Sequence, residues 1–152
     1  MKIPSNPWRQ RSDRFSNDSP RYPYLGLVGS QQPQLTPVLA QIIADHQETG
    51  LGVSIISCWE VAKLVEVGRL RLSISTSDWL TQALVYPGIQ LLELTVPIVV
   101  ESTQLPGAFH RDPADQILVA TARIHKIPLV TADGKILAYP HVQTLTESDD
   151  PA

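Results

Sequence analysis

Cysteine is almost absent from the chain: Cys58 is the only one. A single thiol excludes an internal disulfide and a cysteine-based zinc site, and it fits a reducing compartment. Positive charge is also scarce. Lys and Arg number 12 against 15 Asp and Glu, for a net charge of -3, which argues against a surface that holds nucleic acid by bulk electrostatics. Any chemistry on a polyanion has to sit in a local site. Long apolar runs are missing too. The longest, Ile89 to Val100, is broken by Gln90, Glu93 and Pro97 and falls well short of the roughly 20 residues a membrane span needs. The N-terminus carries Lys2, Arg9, Arg11 and Arg14 without a following apolar segment of the kind a signal peptide has. A cytoplasmic protein without a membrane segment is expected.

What is present is enough for one domain: 152 residues, 43% of them hydrophobic, can bury a core but scarcely two. Residues 1–34 hold five prolines among Ser, Asn, Arg and Gln, which suits neither a helix nor a central strand. They are read as a disordered or out-of-frame arm, with the domain over 35–146 and a tail over 147–152. Thr36 and Pro37 open a helix that Gly50 closes. Gly52 to Ile56 reads as a strand, and Ser57 then caps a helix with Glu60 three residues on, ending at Gly68. A helix follows from near Ser77 to the Pro87, Gly88 pair, then a strand over 89–94 and a helix over 96–105. The clearest helix starts after Asp112 at Pro113 and carries Ile117, Leu118, Ala120, Thr121 and Ile124 on its apolar side. Strands over 127–130 and 142–145 flank a short helix ending at Ala138. Strands alternating with helices at these spacings predict an α/β fold with a parallel sheet covered on both faces.

In such a sheet the site lies off the carboxyl ends of the strands, and Glu60, Asp115 and Asp133 all fall there. If they converge, each pair at ~4 Å repels by about 4 kcal/mol at an effective dielectric of ~20, a cost a divalent cation removes. All-oxygen ligands favour Mg²⁺ or Mn²⁺ over zinc, and phosphodiester hydrolysis is the matching chemistry. Each residue also has a purely structural reading. Ser57 and Glu60 form a capping-box pattern, and Asp112 is best read as a helix N-cap. Asp115 suits the helix dipole, and Asp133 suits a turn beside Gly134. Their shared rim favours function. His110 and Arg111 can hold a phosphate, although a solvated loop before a helix is the simpler role for them. Thr131 can orient a water on the ion or merely close its turn, and Cys58 is best read as core.

The blocks Ser54-Ile55-Ile56-Ser57-Cys58-Trp59-Glu60 with Gly68-Arg69-Leu70, His110-Arg111-Asp112-Pro113-Ala114-Asp115 with Ala120-Thr121-Ala122, and Leu129-Val130-Thr131-Ala132-Asp133 resemble the PIN domain of VapC-type toxins. The likeness runs over roughly residues 35 to 146, in three ordered blocks. It implies a three-layer α/β/α domain and an Mg²⁺- or Mn²⁺-dependent endoribonuclease acting on RNA. It also implies inhibition by a cognate VapB-type antitoxin, and commonly a homodimer. Glu60, Asp115 and Asp133 fall on the family's second, third and fourth acidic positions, and Arg111 and Thr131 become candidates for substrate contact. The departure is at the start. The family opens with a strand reading Leu-Leu-Asp-Thr-His and a Trp-rich helix, and that Asp is its first metal ligand. Here it should stand near Arg21, and it does not. Asp18 lies between Asn17, Ser19 and Pro20 with no strand-forming run around it.

A shifted reading frame is the hypothesis that explains this. With codons chosen to fit, Asn17 to Gly29 read one base later gives Met-Thr-Leu-Leu-Asp-Thr-His-Ile-Trp-Val-Trp-Trp, its Asp overlapping the Arg21 codon and the frame rejoining near Ser30. The first strand is accordingly expected to be absent or degraded, with unpaired strand edges, weak metal binding and poor stability. Three functions compete: an RNA-cleaving toxin, a catalytically inactive PIN-like module that binds an antitoxin, and a metal-dependent phosphatase acting on a small molecule, which the ordered blocks fit less well.

Overall fold

The computed structural model describes residues 50–131 and 133–145 and, as backbone, 24–26. Among the described residues five strands form one sheet: β1 (Tyr24–Gly26), β2 (Leu51–Ser54), β3 (Ile89–Leu92), β4 (Leu129–Val130) and β5 (Thr144–Leu145). Every pairing is parallel and the order is β3-β2-β1-β4-β5. Helices α1 (Ile55–Glu66), α2 (Thr76–Leu84), α3 (Val96–Ser102), α4 (Pro113–His125) and α5 (Gly134–Leu137) connect them, in the three-layer α/β/α arrangement. The first strand, expected to be absent or degraded, is a short remnant of three residues in the centre of the sheet. Leu25 pairs with Gly52 on one side and Leu129 on the other, so the β2 and β4 edges expected to go unpaired have a partner there. Tyr and Leu suit a strand, and two buried neighbouring edges need their backbone groups met. Part of the stretch read as an arm therefore belongs to the sheet. The helix predicted from Thr36 to its stop at Gly50 lies outside the described residues up to residue 49.

One boundary moved in a way that bears on function. Ser57 is not an N-cap. The strand stops at Ser54, whose Oγ accepts the Ile56 N–H at 3.2 Å, and α1 begins at Ile55. Ile55 and Ile56 read locally as strand because both are β-branched. The buried set Ser57, Cys58, Glu60, Val61 and Leu64 has helical spacing, and tertiary packing wins over propensity. Glu60 thereby moves into the second turn of the helix and out of any capping box. The helix stops at Gly68, whose φ of +75° suits glycine.

Among the described residues α4 is the most deeply set helix, with Leu118, Val119, Ala120, Thr121 and Ala122 each at 0% exposure. Ile124, expected on its apolar side, faces outward at 40%. The helix starts at the Asp112 cap with Pro113 in its first turn and ends at Lys126, which adopts φ +55°. Leu118, Val119 and Ala122 join Leu92, Leu129, Ile136 and Tyr139 in the main core cluster. The geometry of a parallel sheet then fixes the rim. A helix that follows a strand begins at the strand's carboxyl end, and one that leads into the next strand runs back antiparallel to it. The N-termini of α1 and α4 and the turn after β4 therefore share one edge of the sheet.

Candidate active site

Four acidic residues come to that edge, each through its own local device. Asp112 ends the loop before α4 in extended backbone, and its Oδ1 accepts the N–H groups of Ala114 at 2.9 Å and Asp115 at 3.3 Å. Asp115, one turn in, is 4% exposed. Asp133 is the cap of α5, with Oδ1 accepting from Lys135 at 2.8 Å and Ile136 at 3.3 Å, and its own N–H donates to Thr131 Oγ1 at 3.0 Å. Thr131 is buried, so its hydroxyl serves to hold the Asp133 turn. Glu60, also 4% exposed, reaches the edge from α1. Arg111 is exposed on the loop between α3 and α4.

Electrostatics tie three of the four together. Burial pushes the Asp115 carboxyl up from 3.8 to about 6, and the charges of Asp112 and Asp133 push in the same direction. His110 and Lys135 act the opposite way. Two carboxylates that make a third reluctant to ionise leave a local excess of negative charge, which a cation relieves. Glu60 lines a groove of about 500 Å³ together with Trp59 and Lys63 of α1 and Asp112, Pro113 and Ala114 at the head of α4, which places it beside the Asp112 cap. Trp59 is 52% exposed, with the Lys63 ammonium 5.7 Å from its ring centre. Among the described residues no three acidic, His or Cys side chains stand close enough together to make a ready-made ion site. The oxygen donors and the negative charge around Asp115 fit a divalent cation in chemistry, with the ligand set incomplete among the described residues.

His110 lies on the loop before α4 as the sequence suggests, but it is not fully solvated: its side chain is 23% exposed and Nε2 lies 3.2 Å from Asp115 Oδ2. Nothing in the spacing of residues 110 and 115 signals this, because the contact depends on the loop folding back over the first turn of α4. Lys135 was likewise unmarked, since only the placement of α5 brings it toward Asp115.

A parallel sheet in the order β3-β2-β1-β4-β5 held between helices is the fold of a PIN domain. The chain belongs to that family, which it matches over residues 30–142. It is 32% identical over 117 residues to Ribonuclease VapC22 of Mycobacterium tuberculosis, an alignment covering 77% of this chain and 88% of that relative. Among solved structures it is similar to a chain of a toxin-antitoxin complex from Klebsiella pneumoniae, with a TM-score of 0.51 and 14% identity over 82% of this chain and 97% of that one. At that identity the likeness speaks for the fold.

Proposed function

We propose that the chain is a metal-dependent endoribonuclease toxin of a toxin-antitoxin pair, with Glu60, Asp115 and Asp133 as the carboxylates of its site. The observation that carries this reading is Asp115: a buried acid pushed up to about 6 by its burial and by Asp112 and Asp133, in a chain of the PIN family. Mg²⁺ or Mn²⁺, when bound, supplies charge neutralisation at a phosphoryl oxygen and a more acidic water. The protein's own part is positional. Asp112 fixes the head of α4 and so the place of Asp115. Thr131 fixes the turn that presents Asp133. Arg111, exposed at the same rim, meets the RNA backbone as a cation with a forked donor set. RNA is the substrate, a VapB-type antitoxin the inhibitor, a homodimer the assembly and the cytoplasm the compartment.

Incubating the purified chain with labelled RNA and Mg²⁺ or Mn²⁺ tests the proposal. Cleavage that stops on chelation and falls about a hundredfold or more in Glu60→Gln and Asp115→Asn supports it. Cleavage indifferent to both substitutions refutes it.

The alternative is an inactive PIN-like module that binds an antitoxin without cutting RNA. The incomplete ligand set among the described residues favours it. So does the want of an Asp near Arg21, although that position lies outside the described residues. The family match starts at residue 30, where the shifted-frame reading rejoins the family, and this supports an out-of-frame origin for the preceding segment. The coding DNA decides it. If the shifted frame encodes Leu-Leu-Asp-Thr-His, restoring it raises metal-dependent cleavage; equal activity in both versions removes the explanation.

A further inference from the structure

His110 is held from several sides. Its carbonyl oxygen accepts from Gln116 Nε2 at 3.2 Å. Its ring packs on Phe109, with centroids 4.3 Å apart, and Phe109 packs in turn on the buried Tyr139 at 4.7 Å. Its Nδ1 accepts the backbone N–H of Asp112 at 3.3 Å. A neutral imidazole has one donor and one acceptor nitrogen, so a ring that accepts at Nδ1 carries its proton on Nε2. That nitrogen is buried, has no well-aligned acceptor among the described residues, and stands 3.2 Å from Asp115 Oδ2. The ring itself is pinned by the main chain of the same residue that caps α4.

We propose that His110 is a positioning residue of the carboxylate site: its Nε2–H holds one oxygen of Asp115 and leaves the other to act as a ligand. The inference rests on the metal-dependent reading above. It assigns the histidine no proton transfer and no contact with RNA. A donor fixed on one carboxylate oxygen restricts the rotation of that carboxylate and so lowers the entropic cost of ion binding. Outer hydrogen-bond partners of this kind typically change metal affinity by about 10–100-fold when removed.

Two measurements test it, neither of them an activity. In the metal-free protein labelled with ¹⁵N-histidine, long-range ¹H–¹⁵N NMR correlations show the His110 ring in the Nε2–H form, its signals assigned by their loss in His110→Gln. An Nδ1–H ring overturns the inference. Mn²⁺ titration followed by electron paramagnetic resonance then compares four proteins. His110→Ala weakens binding about 10–100-fold, and His110→Gln, whose amide nitrogen reaches the same place, recovers most of the loss. The two variants melt within a few degrees of each other. An alanine variant that binds as well as wild type, or a glutamine variant as weak as alanine, overturns the inference while the site reading stands. If the wild type binds no Mn²⁺, or Asp115→Asn binds it equally well, the site reading itself fails and takes the inference with it.

Discussion

Asp115→Asn tests most directly whether the buried acid belongs to a cation site, because the two readings of Asp115 give opposite signs for stability. The substitution keeps the shape of the side chain and removes its charge. The carboxyl is raised from 3.8 to about 6 in the folded protein, first by burial and then by Asp112 and Asp133. About two units correspond to a ceiling of about 3 kcal/mol, and screening of the partly exposed neighbours reduces it to about 1–2 kcal/mol. The sign follows from proton counting. Between about pH 4 and 6 the folded state binds more protons than the unfolded one, so stability falls as pH rises through that window and stays low above it. In EDTA at pH 7.5 the asparagine variant should therefore melt higher than wild type by about 2–8 °C, and the gap should close near pH 4. Added Mg²⁺ should raise the wild type by mass action and leave the variant almost unmoved. Thermal unfolding followed by circular dichroism reads all three. An asparagine variant less stable than wild type at pH 7.5 without metal, or a gap that does not change with pH, refutes the reasoning.

Other outcomes follow from single contacts. Asp112→Ala should cost about 1 kcal/mol through loss of the α4 cap, whereas Asp112→Asn keeps a capping oxygen and lowers the Asp115 pKa by removing a charge; urea unfolding and a ¹³C carboxyl titration separate the two. A Cβ on Gly52 would stand 2.6 Å from Leu92 Cδ1, so Gly52→Ala should destabilise by about 1–3 kcal/mol, seen as a lower urea midpoint. Leu118→Ala, at a fully buried position, should cost about 2–5 kcal/mol by the same measurement. Cys58 is buried and its thiol is pushed up by burial, so a thiol reagent at pH 8 should label it only as the protein unfolds.

The sequence by itself determined the alternation of strands and helices and the parallel sheet, because hydrophobic period and cap chemistry are local properties. Asp112 before Pro113 is legible as a helix start in any context, and Gly68 as a stop. The tertiary structure decided what locality cannot. Ile55 and Ile56 belong to α1 because the face from Ser57 to Leu64 packs inward as a helix, which took the cap from Ser57 and gave it to Ser54. Tyr24–Gly26 become the central strand because two neighbouring strands require a partner between them. His110 meets Asp115 because a loop folds back, with no fixed spacing to announce it. The single scarce cysteine and the shortage of positive charge set the limits at the outset: whatever acts on a polyanion here must be a small, local site. The fold brings the heads of α1 and α4 and the turn after β4 to one edge, since parallel strands put all their carboxyl ends on the same side.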